Sequence, residues 1–372
     1  MLAKGDGVGI DCYYADKIGT LYDLMPASAI TVEPDRLIVD GTVYPIIDDV
    51  IVPLHPAAYP ESVRRRLRLR EGASPGAGPP FAEDIQRTFG AEWRRFSGML
   101  PDYEQGFAEY FDIVDLSTLA GKRVCDLGCG MGRWSLMLQD RCRELILVDF
   151  SDAIFVAREN LRAASNALFF LVDLRQLPFR SHFADFLICL GVLHHLPTNA
   201  LDEVRRLRKY ADHLLIYIYY SLDNKPRYFQ YILKLVTGAR LQLCKIESPL
   251  FREAFTWIGA VGIYLPCVML GRILRPFGLS RFVPLYAENH WVSLDHHRHS
   301  VYDRFFTRIE QRFSRTEILS LQDSFARVVI SDNPGYWHFL CEGATGLPPA
   351  GHGAGDDDAM LKHTARQQSS GC

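Results

Sequence analysis

Short apolar runs alternate with amphipathic segments through the middle of the chain. The runs Arg123–Leu127, Leu145–Asp149, Leu168–Asp173, Asp185–Leu190 and Leu214–Tyr220 are dense in Val, Ile, Leu, Cys and Phe. They are too short for helices and apolar on both faces, which predicts buried strands of a parallel sheet. Helical spacing fills the intervals at about Arg133–Asp140, Asp152–Ala164 and Asn199–Ala211. Such alternation predicts an α/β fold with a doubly wound, mostly parallel sheet. Toward the end, the capping-box pattern Ser314-x-x-Glu317 opens a helix over about Ser314–Phe325. Two strands follow, Ala326–Ser331 and Tyr336–Glu342, and Asn333-Pro334-Gly335 joins them as an antiparallel hairpin.

The pattern is different on either side. Residues 1–55 hold a small β module, with apolar runs from Leu37 to Leu54 split by the turn dipeptide Asp40-Gly41. Residues 56–80 are rich in Pro and Gly and read as a linker. The α/β domain spans 81–342 and is interrupted by an insertion, 221–313. Residues 343–372 are Gly-, Pro-, Asp- and Ser-rich and read as a disordered tail.

Composition narrows the class. The chain has 372 residues, 48% hydrophobic, with 41 Lys and Arg against 44 Asp and Glu. That excludes a fibrous or wholly disordered chain and gives no overall basic footprint for nucleic acid. The nine cysteines include no C-x-x-C pair, and no basic-plus-apolar leader opens the sequence. A reducing, cytoplasmic setting is expected.

The chemistry concentrates at the carboxyl ends of the expected strands. Val124-Cys-Asp-Leu-Gly-Cys-Gly-Met-Gly132 runs a strand into a glycine-rich turn and a helix. Its glycines, Gly128, Gly130 and Gly132, are spaced G-x-G-x-G rather than G-x-G-x-x-G, with Asp126 ahead of them, which points away from a nicotinamide dinucleotide. Glycines there let backbone approach a ligand, and the following helix start aims N–H groups at an anion. Asp149 and Asp173 end the second and third strands, and Gly191-Val-Leu-His-His-Leu-Pro197 follows the fourth.

Together these residues resemble the class I S-adenosylmethionine-dependent methyltransferases, of the type 11-like small-molecule kind, over roughly 81–220 and 314–342. The resemblance implies a Rossmann-like sheet with a final antiparallel strand and S-adenosyl-L-methionine as cofactor. It implies a donor site of Asp126, Gly128, Gly130, Gly132, Asp149, Phe150, Asp173, Leu174 and Leu190. In it Asp149 meets the ribose hydroxyls, Asp173 meets the adenine amino group, and Asp126 orients the loop or meets the ligand ammonium. His194 and His195 lie where an acceptor would meet the methyl group and are the candidate bases, His194 first. A base is needed only for a protonated acceptor such as a hydroxyl.

The insertion holds 18 residues without a charge, Ala254 to Gly271. That touches the length of a membrane span, but Gly259, Gly262 and Pro266 interrupt it, and a span would split one sheet across a bilayer. A helical cap whose apolar face packs on the sheet domain, a lid that makes an acceptor pocket, and a lid whose apolar face rests on a membrane surface all remain open. Glu288, His290, His296, His297, His299, Tyr302 and Asp303 form a polar cluster, read either as a lid rim or as acceptor contacts. Histidines this close along the chain do not converge on one ion by themselves, and no metal is expected.

At the front, Tyr44-Pro45-Ile46 with Asp48 to Pro53 resembles a zinc-ribbon-like module that precedes many methyltransferase domains, though a plain hairpin fits as well. The basic run Arg64–Arg70 reads as a solvated helix face. Trp93, Phe96, Tyr103 and Phe107 are read as closing over the donor or packing on the sheet. The expected reaction is methyl transfer to a small or lipophilic acceptor, most readily at oxygen, with no nucleic acid as partner. The competing readings are an RNA or protein methyltransferase and a non-catalytic subunit that keeps the fold.

Overall fold

The computed structural model describes residues 12–69, 86, 89–90, 93, 95, 98–332 and 338–344. The five expected parallel strands form: β5 (Arg123–Leu127), β6 (Glu144–Asp149), β7 (Ala167–Leu171), β8 (Phe186–Leu190) and β9 (His213–Tyr217). All of β5, β7 and β8 is buried, as two-sided apolar runs require. β10 (Phe325–Ile330) and β11 (His338–Ala344) complete this end, with β11 antiparallel to both β9 and β10. The expected turn at 333–335 lies outside the described residues. The spatial order β7-β6-β5-β8-β9-β11-β10 reverses beside β5. In an open α/β sheet ligands bind at that switch point, outside the carboxyl ends of the strands.

Helices α4 (Arg133–Leu138), α5 (Ala153–Asn160) and α6 (Ala200–Leu207) connect these strands. Each is two to four residues shorter at its C-terminal end than its periodicity suggests, because the last turn gives way to irregular turns. α12 (Arg315–Leu319) carries the expected capping box, with Ser314 and Glu317 bonding each other's backbone N–H, and its last turn continues as a 3₁₀ segment, Ser320–Asp323.

The N-terminal strands are not a free-standing unit. β1 (Ile30–Glu33), β2 (Arg36–Val39) and β3 (Thr42–Ile47) form a meander, and β4 (Val50–Ile51) pairs in parallel with β7, so the sheet runs to eleven strands. The β2–β3 turn is Asp40-Gly41, as the dipeptide predicts, and both residues have positive φ. Tyr14 donates to the Asp49 carbonyl at 2.6 Å, Tyr13 to that of Ala167 at 2.7 Å, and Arg158 pairs with Asp49 at 2.7 Å. The expected linker begins as structure: Pro56–Ala58 is a 3₁₀ turn and α2 spans Glu61–Arg66, each following a residue with the extended backbone that proline-rich sequence favours.

The insertion is all helical. α7 (Arg227–Leu243) and α8 (Pro249–Gly259) are followed by a π turn, Ala260–Tyr264, and α9 (Leu265–Leu274). Pro266 lacks an N–H, and the wider turn before it absorbs the missing bond without breaking the helix. α10 (Tyr286–Asn289) precedes α11 (Leu294–Phe306). Tyr264, Val301, Tyr302, Phe305 and Phe306 form a small second core inside the insertion. Its two stems are clamped side by side: Ser221 N–H donates to the Phe313 carbonyl and Phe313 N–H to that of Tyr219, both at 2.9 Å.

Candidate functional site

A cavity of about 570 Å³ lies against the carboxyl ends of β5, β6, β7, β8 and β9 and continues beneath the insertion. That is ample for a small-molecule site. Gly128, Cys129, Asp149, Phe150, Asp173, Leu174, Leu190, Gly191 and His195 line its sheet end. Asp126, Gly130, Gly132 and His194 do not line it; they stand behind that wall and shape it.

Gly128 has φ +71°, and a Cβ there would run into Val192, so only glycine fits. A Cβ on Gly130 would meet the Trp93 ring, which lies over the loop and also contacts His299 of α11 at 4.8 Å between centroids. Trp93 thus joins the glycine loop to the insertion. Gly132 faces Ala157 and Leu161 and serves helix packing rather than ligand approach. The Asp126 carboxylate accepts from Ser135 Oγ at 2.6 Å inside α4. Burial pushes its pKa up to about 7, with Asp149 adding repulsion and the Ser135 bond opposing. Asp126 thus ties the end of β5 to the helix that follows the glycine loop.

Asp149 accepts from Gly130 N–H at 2.9 Å and from Ser151 N–H and Oγ at 2.8 and 2.7 Å. Burial raises its pKa against the pull of those donors. Asp173 caps the 3₁₀ turn after β7 and pairs with Arg175 at 2.5 Å, so the two present a joint polar edge to the cavity. Arg133, at the start of α4, also reaches the cavity, its guanidinium 4.6 Å from the Trp134 ring centre and 5.1 Å from that of Trp93. This cation at a helix N-terminus suits a ligand carboxylate. The sequence pattern marks Arg133 only as the start of the helix, because the motif fixes the loop backbone and not where this side chain reaches. Carboxylates at the ends of β6 and β7, a glycine cradle and a carboxylate-binding corner fit the sugar, the amino-acid part and the positive charge of S-adenosyl-L-methionine.

The histidine pair separates. His194 is fully buried, stacks on Tyr219 at 4.0 Å, and has neither ring nitrogen hydrogen-bonded. Burial holds its pKa well below the usual imidazole range, so it stays neutral. His195 lines the cavity. Its Nδ1 lies 2.8 Å from the Ile309 carbonyl, and its Nε2 lies 3.7 Å from Asp303 Oδ1. A carbonyl only accepts, so Nδ1 carries a proton, and in the neutral form of the ring Nε2 is the nitrogen left to accept. Asp303 also accepts from the Tyr219 hydroxyl. Of the two candidate bases, the ring that meets the cavity is His195.

Part of the insertion's polar cluster, Glu288, His296, His299 and Asp303, is cavity wall rather than rim. His296, His299, Ser300, Asp303 and Arg304 recur at helical spacing on α11 and face the cavity. Glu288 faces it too and accepts from Tyr220 Oη at 2.9 Å. His290 and His297 do not line it. Asp102 secures the start of α11, accepting from Ser293 N–H at 2.8 Å and lying 3.2 Å from His296 Nδ1. In the basic run, Arg64 donates to the Tyr59 carbonyl, while Arg65 pairs with Glu61 and Arg66 with Asp48. Arg70 lies outside the described residues, as does Phe96. Tyr103 and Phe107 are buried, Tyr103 against Trp134 and Phe107 stacked on Phe111. Tyr219, Tyr220 and Arg312 also line the cavity. Sequence reading missed them as site residues because they lie on the insertion's stems, where nothing in the pattern announces a ligand.

Known proteins resemble parts of this chain. Residues 124–210 match the family model of a methyltransferase domain. An uncharacterized methyltransferase of Staphylococcus carnosus is 25% identical over 168 residues, 44% of this chain and 77% of the relative. A 23S rRNA (uracil(1939)-C(5))-methyltransferase of Pseudomonas fluorescens is 35% identical over 107 residues, 28% of this chain but only 24% of that protein. The crystal structure of the magnesium protoporphyrin IX methyltransferase of Synechocystis with bound S-adenosylhomocysteine is similar at 17% identity and a TM-score of 0.40, covering 71% of this chain and 98% of that one. The chain carries, over residues 124–210, a methyltransferase domain of the class I, S-adenosylmethionine-dependent family.

Proposed function

We propose that this protein transfers the methyl group of S-adenosyl-L-methionine to the hydroxyl oxygen of a small, lipophilic acceptor held beneath the helical insertion. The observation that carries this reading is that one continuous cavity has strand-end carboxylates, an apolar helical wall, and His195 and Asp303 in its lining. The cofactor supplies an activated methyl group, so the chain's own task is to position, dehydrate and deprotonate. Asp149 and Asp173 would hold its ribose and adenine, with Arg133 and the loop at Gly128 at its amino-acid end. His195 Nε2 takes the acceptor hydroxyl proton as the oxygen gains the methyl group, and the Asp303 carboxylate stabilises the resulting imidazolium. Phe229, Val236, Phe255 and Leu285 supply an apolar wall for the acceptor body. RNA is disfavoured as acceptor because three of the four described arginines of the Arg64–Arg70 run, Arg64, Arg65 and Arg66, make local bonds.

The test is transfer of labelled methyl from S-adenosylmethionine into a cell extract, followed by fractionation. Label in the solvent-extractable fraction, reduced about 10²–10⁴-fold by His195→Ala with donor affinity retained, supports the reading. Label in RNA or protein, or full activity in His195→Ala, overturns it.

A further inference from the structure

The insertion presents a large apolar surface. Among the described residues, all exposed large hydrophobic side chains but four (Tyr22, Val43, Leu69 and Leu294) lie between Tyr228 and Phe282. Leu235, Leu250, Ile273 and Phe277 are 76%, 83%, 65% and 73% exposed. The continuous helix Pro249–Phe277 has a mean hydropathy of 1.7 over its most apolar window, and only 33% of that window is buried. A helix inside a soluble core is mostly covered, and patches this large mark a binding surface.

Charge names the partner. Residues 225–282 carry nine Lys or Arg against two Glu, in a chain whose net charge is -3. Arg227, Lys234, Lys245, Arg272, Arg275 and Arg281 are exposed among the apolar side chains. Apolar faces studded with cations are the signature of helices that lie in the headgroup region of anionic bilayers. The helix is held on the protein rather than free to cross: Gly259 lies so close to Val301, and Gly271 to the Tyr286 ring, that a Cβ on either would clash. Both ends of the insertion also return to one point at the end of β9.

We infer that this face docks on an anionic lipid bilayer and that the cavity opens into it. Ile232, Ile258 and Ile263 belong to both surfaces, lining the cavity while 41%, 68% and 50% exposed. The mouth is therefore apolar and set in the docking face, so an acceptor dissolved in the bilayer enters without crossing water. The delivery part of this inference rests on the proposed function; the docking part does not.

The experiment is co-sedimentation of the full chain, without donor or acceptor, with vesicles of phosphatidylcholine alone or with about one third phosphatidylglycerol. The expected result is binding to the anionic vesicles that weakens with salt and falls at least about tenfold in the triple variant Leu235→Asp, Ile273→Asp, Phe277→Asp. None of those three residues lines the cavity, so the variant keeps its affinity for S-adenosylhomocysteine, which also certifies its fold. Failure of the wild type to bind vesicles overturns the inference, as does equal binding by a folded variant. A stable dimer in solution that the same substitutions dissociate assigns the face to a second copy and overturns it too. Loss of donor binding in a wild type that still sediments with vesicles sinks the proposed function instead and leaves docking intact.

Discussion

At the scale of single residues, the glycine motif divides its labour. Gly128 lets the loop meet the cavity, Gly130 supports Trp93 and bonds Asp149, and Gly132 seats helix on helix. Asp126, the acidic residue of the motif, ties β5 to α4 through Ser135. Its folded pKa of about 7 lies above the unfolded value near 3.9. Between those values the native state holds a proton that the unfolded state has lost, so stability falls as pH rises from about 4 to about 7. Asp126→Asn removes that fall. Thermal melts at pH 5 and pH 8 should show the variant gaining on wild type as pH rises, by up to a few kcal/mol at ~1.4 kcal/mol per pKa unit. Parallel curves would contradict this account of Asp126. The residue types at the site were legible because strand-end chemistry follows from chain order. The split between His194 and His195 was not, since it depends on where the Ile309 carbonyl and Asp303 arrive from, more than 100 residues away.

At the scale of elements, the α/β strands were readable because a short run apolar on both faces has few other fates. The insertion was readable only as apolar and helical. Its π turn and its central helix α11 depend on tertiary contacts, so His296 and His299 looked like rim when they are wall. Burial, then the nearby Arg133 charge, press the His299 pKa down to about 4, with Asp303 opposing. Unfolded histidine titrates near 6.5. As pH falls from about 6.5 to about 4 the unfolded chain takes a proton that native His299 refuses, and stability is lost. His299→Gln should flatten this acid arm in thermal melts between pH 7 and pH 5; an unchanged slope would assign the loss elsewhere. Gly271→Ala places a methyl group in the Tyr286 ring. Overpacking of this kind costs about 1–3 kcal/mol. Hydrogen exchange should show faster opening of α9 and α10, with β5–β9 unchanged; uniform protection would show that the contact yields freely.

At the scale of the molecule, one sheet carries three features: the cavity at its switch point, the insertion after β9, and an N-terminal extension beyond β7. Composition announced the N-terminal strands but not their destination, because an edge pairing of two residues, Val50 and Ile51 with Phe169 and Phe170, leaves no mark in either sequence. Removing residues 1–54 would uncover β7 and the aromatic side of Phe169, so the truncated chain is expected to aggregate or melt at lower temperature. Retention of full solubility and Tm would show the extension to be dispensable.

The most direct measurement of the central claim is calorimetric titration of S-adenosylhomocysteine into wild type, Asp149→Ala and His195→Gln. The account predicts binding to wild type, loss or at least about tenfold weakening in Asp149→Ala, equivalent to ~1.4 kcal/mol, and near-wild-type affinity in His195→Gln. No binding to wild type at millimolar ligand, or equal binding by Asp149→Ala, would contradict it.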